Sequence, residues 1–291
     1  MSATAASVEA QAKLNLRLCV LAREASGYHQ LESLFLRIEL ADTVRVATDT
    51  KARTLSCPGV DLAPEQNLAY RAAMAFTDAA GWPTGFDIAI EKRIPAGGGL
   101  GGGSADAGAV LRALNTLAPK PLGAATLQTL ALQLGADVPF LTLDAPFAVA
   151  WGRGERLLAL NPLPGREILL ALPDFGVETK QAFAWYAADN AERPLTAPAP
   201  LSLDDLDRWD RIAELAVNDL EPVVTARHPV VGDCVARLRE AGARIARMTG
   251  SGSTAFGMFD RRHSQSPQMP AGTRLVHTRS STSVAAVKLL D

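Results

Sequence analysis

The residues that decide how this chain is read are Pro95-Ala96-Gly97-Gly98-Gly99-Leu100-Gly101-Gly102-Gly103-Ser104-Ala105-Asp106-Ala107. Six of the seven residues from Gly97 to Gly103 are glycine, against 23 glycines in the whole 291-residue chain. Such a run has no side chains to pack and loses much backbone entropy when ordered, but it presents a row of bare N–H groups that an anion can approach. Ala109, Val110, Ala113, Leu114 and Leu117 follow at helical spacing, and Pro119 closes the pattern. A glycine loop that feeds a helix N-terminus is a phosphate cradle, because unpaired N–H groups and the helix dipole both favour negative charge there. The stretch therefore predicts a loop that wraps the phosphates of ATP.

Better-known glycine loops do not fit. The P-loop ends in Gly-Lys-Ser/Thr, and Gly103-Ser104 has no lysine before the serine. The spacing G-x-G-x-x-G is met by Gly97, Gly99 and Gly102, but no acidic residue stands near Leu117 to Leu122 to bind a dinucleotide ribose. Asp174-Phe175-Gly176 spells the metal-binding tripeptide of protein kinases, yet no His-Arg-Asp loop precedes it. A flexible linker is a poor reading of glycines set between a strand and a helix.

Composition narrows the rest. The length suits one large or two modest domains. A net charge of −2 gives no basic field for nucleic acid or a membrane surface, so an anionic substrate must meet local cations. Cys19, Cys57 and Cys234 are isolated and lack metal-ligand spacing, which fits a reducing cytoplasm. Met1 to Ala12 lacks the basic start and apolar core of a signal peptide, and no apolar run approaches membrane-spanning length. These features predict a cytoplasmic protein, and none of them implies an obligate protein partner.

Outward from the loop, Leu14, Leu16, Leu18 and Val20 alternate with Lys13, Asn15 and Arg17, the period of a strand over 13–21. Lys13 and Asn15 then share one face, about 7 Å apart along the strand, as a solvated edge or as part of a site. Leu34 to Leu40 predicts a second strand, with a turn at Ala41-Asp42 before a third. Pro64 to Gly81 reads as a helix with proline at its start and glycine past its end. A strand over Phe86 to Ile90 delivers Lys92-Arg93 to the glycine loop, either as a solubilising strand end or as cations beside a nucleotide. Asp137, between the helix-ending Gly135 and an apolar run, either caps or catalyses. A glycine and proline cluster over 152–166 marks a boundary, giving domains 1–160 and 161–291. Beyond it come a strand at Ile168 to Leu172, a proline-rich loop over 191–203, helices over 207–217 and 230–238, and strands over 245–248 and 255–259. Between those last two lies a second turn, Thr249-Gly250-Ser251-Gly252-Ser253-Thr254, which suits either an anion contact or a tight hairpin. His263 to Gly272 reads as polar loop, and Ser283 to Leu289 as a last strand.

Taken in order, the Lys-x-Asn strand, the glycine loop and the Gly-Ser-Gly turn resemble the GHMP kinase superfamily, which includes galactokinase and the homoserine and mevalonate kinases. Ala12-Lys13-Leu14-Asn15-Leu16, Gly27-Tyr28-His29, Gln66-Asn67-Leu68, Leu134 to Phe140, Asn218-Asp219-Leu220-Glu221 and Met248 to Gly252 bring it closest to the branch that serves the non-mevalonate isoprenoid pathway. That resemblance implies an α+β fold of two layers, with two domains and an active site in the cleft between them. It implies ATP-dependent phosphorylation of the 2-hydroxyl of a cytidine diphosphate-linked methylerythritol. It assigns Asp137 as catalytic base with Lys13 as its partner. It sets Pro95 to Ala105 around the ATP phosphates, Ser104 near Mg²⁺, and Asn67, Leu68 and Lys92 near the adenosine. Asn15, Tyr28, His29, Phe183, Gly250, Ser251 and Gly252 fall on the substrate side, the cytosine stacking on Tyr28 and Phe183. Two positions depart from the family pattern: members often carry serine where Ala105 stands and alanine where Gly108 stands. Other readings of the same residues are a kinase of this superfamily for a different small alcohol, and a non-catalytic nucleotide-binding regulator.

Overall fold

The alternation that begins at Lys13 runs further back than the leucines announce. In the computed structural model, which describes residues 3–23, 29–190, 201–261 and 266–290, the first strand β1 spans Ala5–Arg23. Its early inward residues, Ala6, Val8, Ala10 and Ala12, are buried, but mostly too small to stand out as an apolar pattern. The second strand, β2 (His29–Ala47), runs antiparallel to it for nearly its whole length. The expected turn at Ala41-Asp42 is absent: β2 passes straight through, and the fully buried Asp42 carboxylate accepts the backbone N–H groups of Arg93 at 2.5 Å and Ile94 at 2.7 Å. Three register shifts, between Gln11 and Lys13, Asn15 and Arg17, and Val20 and Ala22, bend the β1–β2 ribbon.

The length of β2 lets it hold two partners on one edge. Its far end pairs with β4 (Phe86–Glu91), which carries β3 (Arg53–Ser56), while its near end pairs with β5 (Phe147–Gly152), which carries β6 (Arg156–Ala159). The other edge of β1 takes β11 (Lys288–Leu290), completing a seven-stranded sheet. Its helices are α1 (Leu68–Ala80), α2 (Gly102–Leu117), α3 (Ala124–Leu134) and the short α4 (Val138–Thr142). The first begins later than Pro64, which sits in a single 3₁₀ turn. Asn67 caps α1 by accepting from the Ala69 N–H at 2.9 Å, and Gly81 ends it in the left-handed region.

The second sheet runs β10 (Thr273–Arg279), β7 (Glu167–Pro173), β9 (Ala255–Phe259), β8 (Ile245–Met248), all antiparallel. Around it lie α5 (Thr179–Asp189), α6 (Trp209–Leu215), α7 (Glu221–Arg227) and α8 (Pro229–Glu240). Three of these elements carry no clear sequence signal. In α5 only Ala182 is buried, α7 is two turns long, and in β10 the adjacent Leu275 and Val276 break the alternation. The expected last strand over 283–289 reduces to β11. One core runs through both sheets: Leu14, Phe76 and Val110 of the first half belong to the same buried cluster as Leu170, Ile212 and Phe256 of the second. Its contiguity holds the two sheets at a fixed relation across the cleft described next.

Candidate active site

Strand geometry places Lys13 and Asn15 on one face, and both are buried, 4 % and 2 % exposed, so a solvated edge does not describe them. The Lys13 ammonium donates to Asn15 Oδ1 at 2.6 Å and lies 3.3 Å from Asp137 Oδ2. Asn15 in turn donates through Nδ2 to Ser33 Oγ at 2.8 Å, and Ser33 donates to the Arg17 carbonyl at 2.7 Å. Asp137 immediately precedes α4, but its side chain makes no capping bond. The capping alternative therefore falls away, and the carboxylate is left facing Lys13.

The glycine loop packs directly against Lys13, where a Cβ at Gly101 would lie 3.1 Å from its Cγ. Lys13 N–H donates to the Leu100 carbonyl at 3.0 Å, tying the strand to the loop. Gly101 precedes α2 in the left-handed region, with φ of 73°, and no side chain caps the helix. The N–H groups of its first turn are thus without a side-chain acceptor, which suits an anion. At Gly99, with φ of 76°, an added Cβ would lie 2.3 Å from the Thr249 carbonyl, and at Gly98 it would meet Thr254 Oγ1 at 2.5 Å. Glycine here is a condition for docking the loop onto the second turn.

The loop is closed at its base by charge. Lys92, before it, donates to Asp106 Oδ2, just after it, at 2.7 Å, and also to Asp42 of β2. Asp106 Oδ1 is buried without a hydrogen-bond partner. Burial pushes the Asp106 carboxyl up to about 7 against the pull of Lys92, and the neighbouring Asp42 adds to the rise. Burial also works against the Lys92 charge, but Asp106 and Asp42 outweigh it and hold the ammonium above its ordinary value. Lys92 lines the cleft as expected, with its charge already matched. Arg93 does not: it turns away to pair with Glu9 at 2.7 Å.

The second turn is held from behind. Asn218 Nδ2 donates to the Met248 carbonyl at 2.8 Å and the Gly250 carbonyl at 2.9 Å, while Thr249 Oγ1 accepts the Asn15 N–H at 3.0 Å. Between this turn, the glycine loop, β1, β2 and α5 opens a cleft of about 1250 Å³. It brings together Lys13, Asn15, His29, Asn67, Leu68, Lys92, Pro95 to Ser104, Asp137, Phe183, Gly250 and Ser251. At one end the His29 and Phe183 rings stack at 5.0 Å, with Tyr186 edge-on to His29 at 6.5 Å.

Two expected residues are not part of that lining. Ala105 is buried behind the loop, its N–H donating to the Gly101 carbonyl at 2.8 Å inside α2. Gly252 donates its N–H to the Thr249 carbonyl at 3.0 Å, and an added Cβ there would lie 2.6 Å from Met248 Sδ. Tyr28 lies outside the described residues. The sequence reading missed Asp42, Asp106, Thr249 and Thr254 as supports of the site. For Asp106 a signal existed, an acid one turn into a helix that follows a phosphate loop; Asp42 carried only the look of a turn residue.

Comparison with known proteins identifies the family. The model of the GHMP kinases N terminal domain matches residues 67–146, and that of the GHMP kinases C terminal region matches 202–266. The 4-diphosphocytidyl-2-C-methyl-D-erythritol kinase of a Geobacter species is 41 % identical over 254 residues, covering 86 % of this chain and 88 % of that one. The chain belongs to the GHMP kinase family. A relative with the same description from Salinibacter ruber is 39 % identical over 259 residues, covering 87 % of this kinase and 89 % of its own length. A crystal structure of 4-(cytidine 5'-diphospho)-2C-methyl-D-erythritol kinase superposes with a TM-score of 0.76 at 34 % identity, covering 94 % of this kinase and 98 % of that chain. The fold extends to a homoserine kinase from Cytophaga hutchinsonii, with a TM-score of 0.70 at 16 % identity over 99 % of this chain and 98 % of the other. Membership brings ATP use with it. No helix among the described residues is long and apolar enough to cross a membrane.

Proposed function

We propose that this kinase transfers the terminal phosphoryl group of ATP to the 2-hydroxyl of 4-diphosphocytidyl-2-C-methyl-D-erythritol, giving the 2-phosphate and ADP in the non-mevalonate route to isopentenyl diphosphate. The observation that carries the reading is the approach of Lys13 to Asp137 at 3.3 Å, in a cleft that the glycine loop also lines. The identity with kinases of that description over most of the chain supports the choice of acceptor. The stacked His29 and Phe183 rings at the far end of the cleft suit a nucleobase better than a simple sugar alcohol.

In this reading Asp137 orients the acceptor hydroxyl and takes its proton as the new P–O bond forms and the bond to the ADP oxygen breaks. That hydroxyl is tertiary and crowded, so alignment supplies much of the rate. Lys13 holds Asp137 in place and offsets charge on the transferring group. Asn15, through its bond to Lys13, fixes the ammonium. The N–H groups of 97–104 and the uncapped start of α2 receive the phosphates, with Asn67, Leu68 and Lys92 on the adenosine side.

The residues present fit a divalent ion held mainly by nucleotide. Ser104 lines the cleft beside the loop, whereas no group of three His, Cys, Asp or Glu among the described residues suits a metal. A divalent ion such as Mg²⁺ would supply positive charge to offset that of the nucleotide phosphates, with Ser104 the residue placed to help hold it. We also take 1–160 and 161–291 as two halves with the cleft between them. The two sheets divide there, although β11 returns to the first. A cytoplasmic location accords with three free thiols, and the reading needs no protein partner.

The test is ADP release from ATP and Mg²⁺ with the cytidylylated methylerythritol as acceptor, beside titrations with CDP and simple sugars. Acceptor-dependent ADP release and binding of CDP in preference to sugars are expected. ADP release only with another alcohol would overturn the substrate assignment, and none with any acceptor would overturn the catalytic one.

A further inference from the structure

Arg37, on β2, is among the largest fully buried side chains, 1 % exposed, and among the described residues it forms no salt bridge. A guanidinium in that setting is costly unless its N–H groups are satisfied. Three of its five N–H groups go to carbonyl oxygens: Nη2 donates to Phe140 at 2.9 Å and Leu143 at 3.0 Å, and Nε donates to Ala145 at 3.2 Å. All three lie in or just past the C-terminal end of α4, where a helix leaves its carbonyls unpaired. The Phe140 ring adds a face to the cation at 5.2 Å.

The other end of the same helix is Asp137. A helix of five residues is too short to hold itself in water, so its place depends on what grips its ends. Lys13 grips one and Arg37 the other, and the two are direct cross-strand partners on β1 and β2. Opposite residues of an antiparallel pair project to the same face. Phe35 fills the space between, stacked on Phe140 at 5.1 Å with the Lys13 ammonium 5.4 Å from its ring centre. From behind, α2 presses on α4 at Gly108, where an added Cβ would lie 2.5 Å from the Leu141 carbonyl.

We infer that Arg37 is a positioning residue for phosphoryl transfer: by binding the carbonyl end of α4, it sets where Asp137, at the opposite end, stands relative to Lys13. The inference rests on Asp137 being the base. A residue that merely filled the core would affect stability and leave turnover alone, because Arg37 touches neither substrate. A residue that places Asp137 acts on kcat and spares ATP binding.

The experiment measures kcat and both KM values for Arg37→Met, Arg37→Lys and Asp137→Asn, with folding checked by circular dichroism and thermal unfolding. For folded Arg37→Met, kcat is expected to fall between about tenfold and a hundredfold, the range of a misplaced catalytic group, with KM for ATP unchanged. Arg37→Lys, which keeps the charge but not the fork, should fall between it and the native enzyme. Native kcat in a folded Arg37→Met overturns the inference; if that variant does not fold, native kcat in Arg37→Lys overturns it. Near-native turnover in Asp137→Asn would instead overturn the assignment of the base, so the two failures are distinct.

Discussion

Lys13 Nζ stands 3.3 Å from Asp137 Oδ2, a buried ammonium reaching a carboxylate that is itself a third exposed to the cleft. The pair joins a mid-strand residue of β1 to the residue ahead of α4, and both line the cleft that the glycine loop borders. Asp137→Asn keeps the shape and removes the base. Turnover should fall by about a hundredfold to ten-thousandfold, the usual contribution of a general base, while ATP binding persists. Steady-state kinetics beside ATP titration checks both halves of the expectation.

At Gly99 the loop touches the second turn closely enough that a methyl group would meet the Thr249 carbonyl at 2.3 Å, and φ of 76° disfavours any side chain there. Gly99→Ala should destabilise the fold by about 1–3 kcal/mol and raise KM for ATP. Gly103→Ala is the control for stability, since its Cβ would find only Leu68 Cδ1 at 3.8 Å. Unfolding curves of the two variants should separate clearly.

Asp106 holds its proton up to about 7 in the folded chain, against an ordinary value of 3.8. Burial is the main cause, opposed by Lys92 and reinforced by Asp42. The native state therefore binds more protons than the unfolded one across that interval, and the contribution of this carboxyl to stability falls as pH rises through it. Asp106→Asn has no such proton to release. Its stability relative to the native protein should improve from pH 4 towards pH 7, measured by urea unfolding, and a trend in the opposite direction would refute the raised value.

Asn218 spends its side-chain amide on the Met248 and Gly250 carbonyls and accepts the Leu220 N–H at 2.9 Å. Asn218→Ala leaves buried polar groups unpaired, at a cost of about 1–3 kcal/mol. Because Gly250 borders the cleft, KM for the acceptor should rise more than KM for ATP. Equal rises, or none, would argue against a role in holding the second turn.

Much of the first half was legible in the chain itself. Phe86 to Glu91 alternates and forms β4, and the apolar spacing after Gly103 marks α2. Where the reading failed, local signals were weak or misleading. Ala41-Asp42 looks like a turn because aspartate is common in turns, yet the Asp42 carboxylate is needed by N–H groups 51 and 52 residues away. The α5 helix, which supplies Phe183 to the cleft, has almost no buried stripe and left no periodicity to read.

The sequence by itself determined the local elements that bear the chemistry: a glycine run ending in a helix, a lysine and asparagine two apart on a strand, and an aspartate ahead of an apolar turn. Each depends on neighbours within a few positions, and backbone stereochemistry and side-chain period act over that range. Only the tertiary structure decided that Lys13 meets Asp137, that Lys92 is spent closing the loop against Asp106 and Asp42, and that Arg37 grips the far end of α4. Those contacts follow from the register of β1 on β2, with its three shifts, and from the burial that strips water from each charge and leaves another residue as its partner. No local pattern records either.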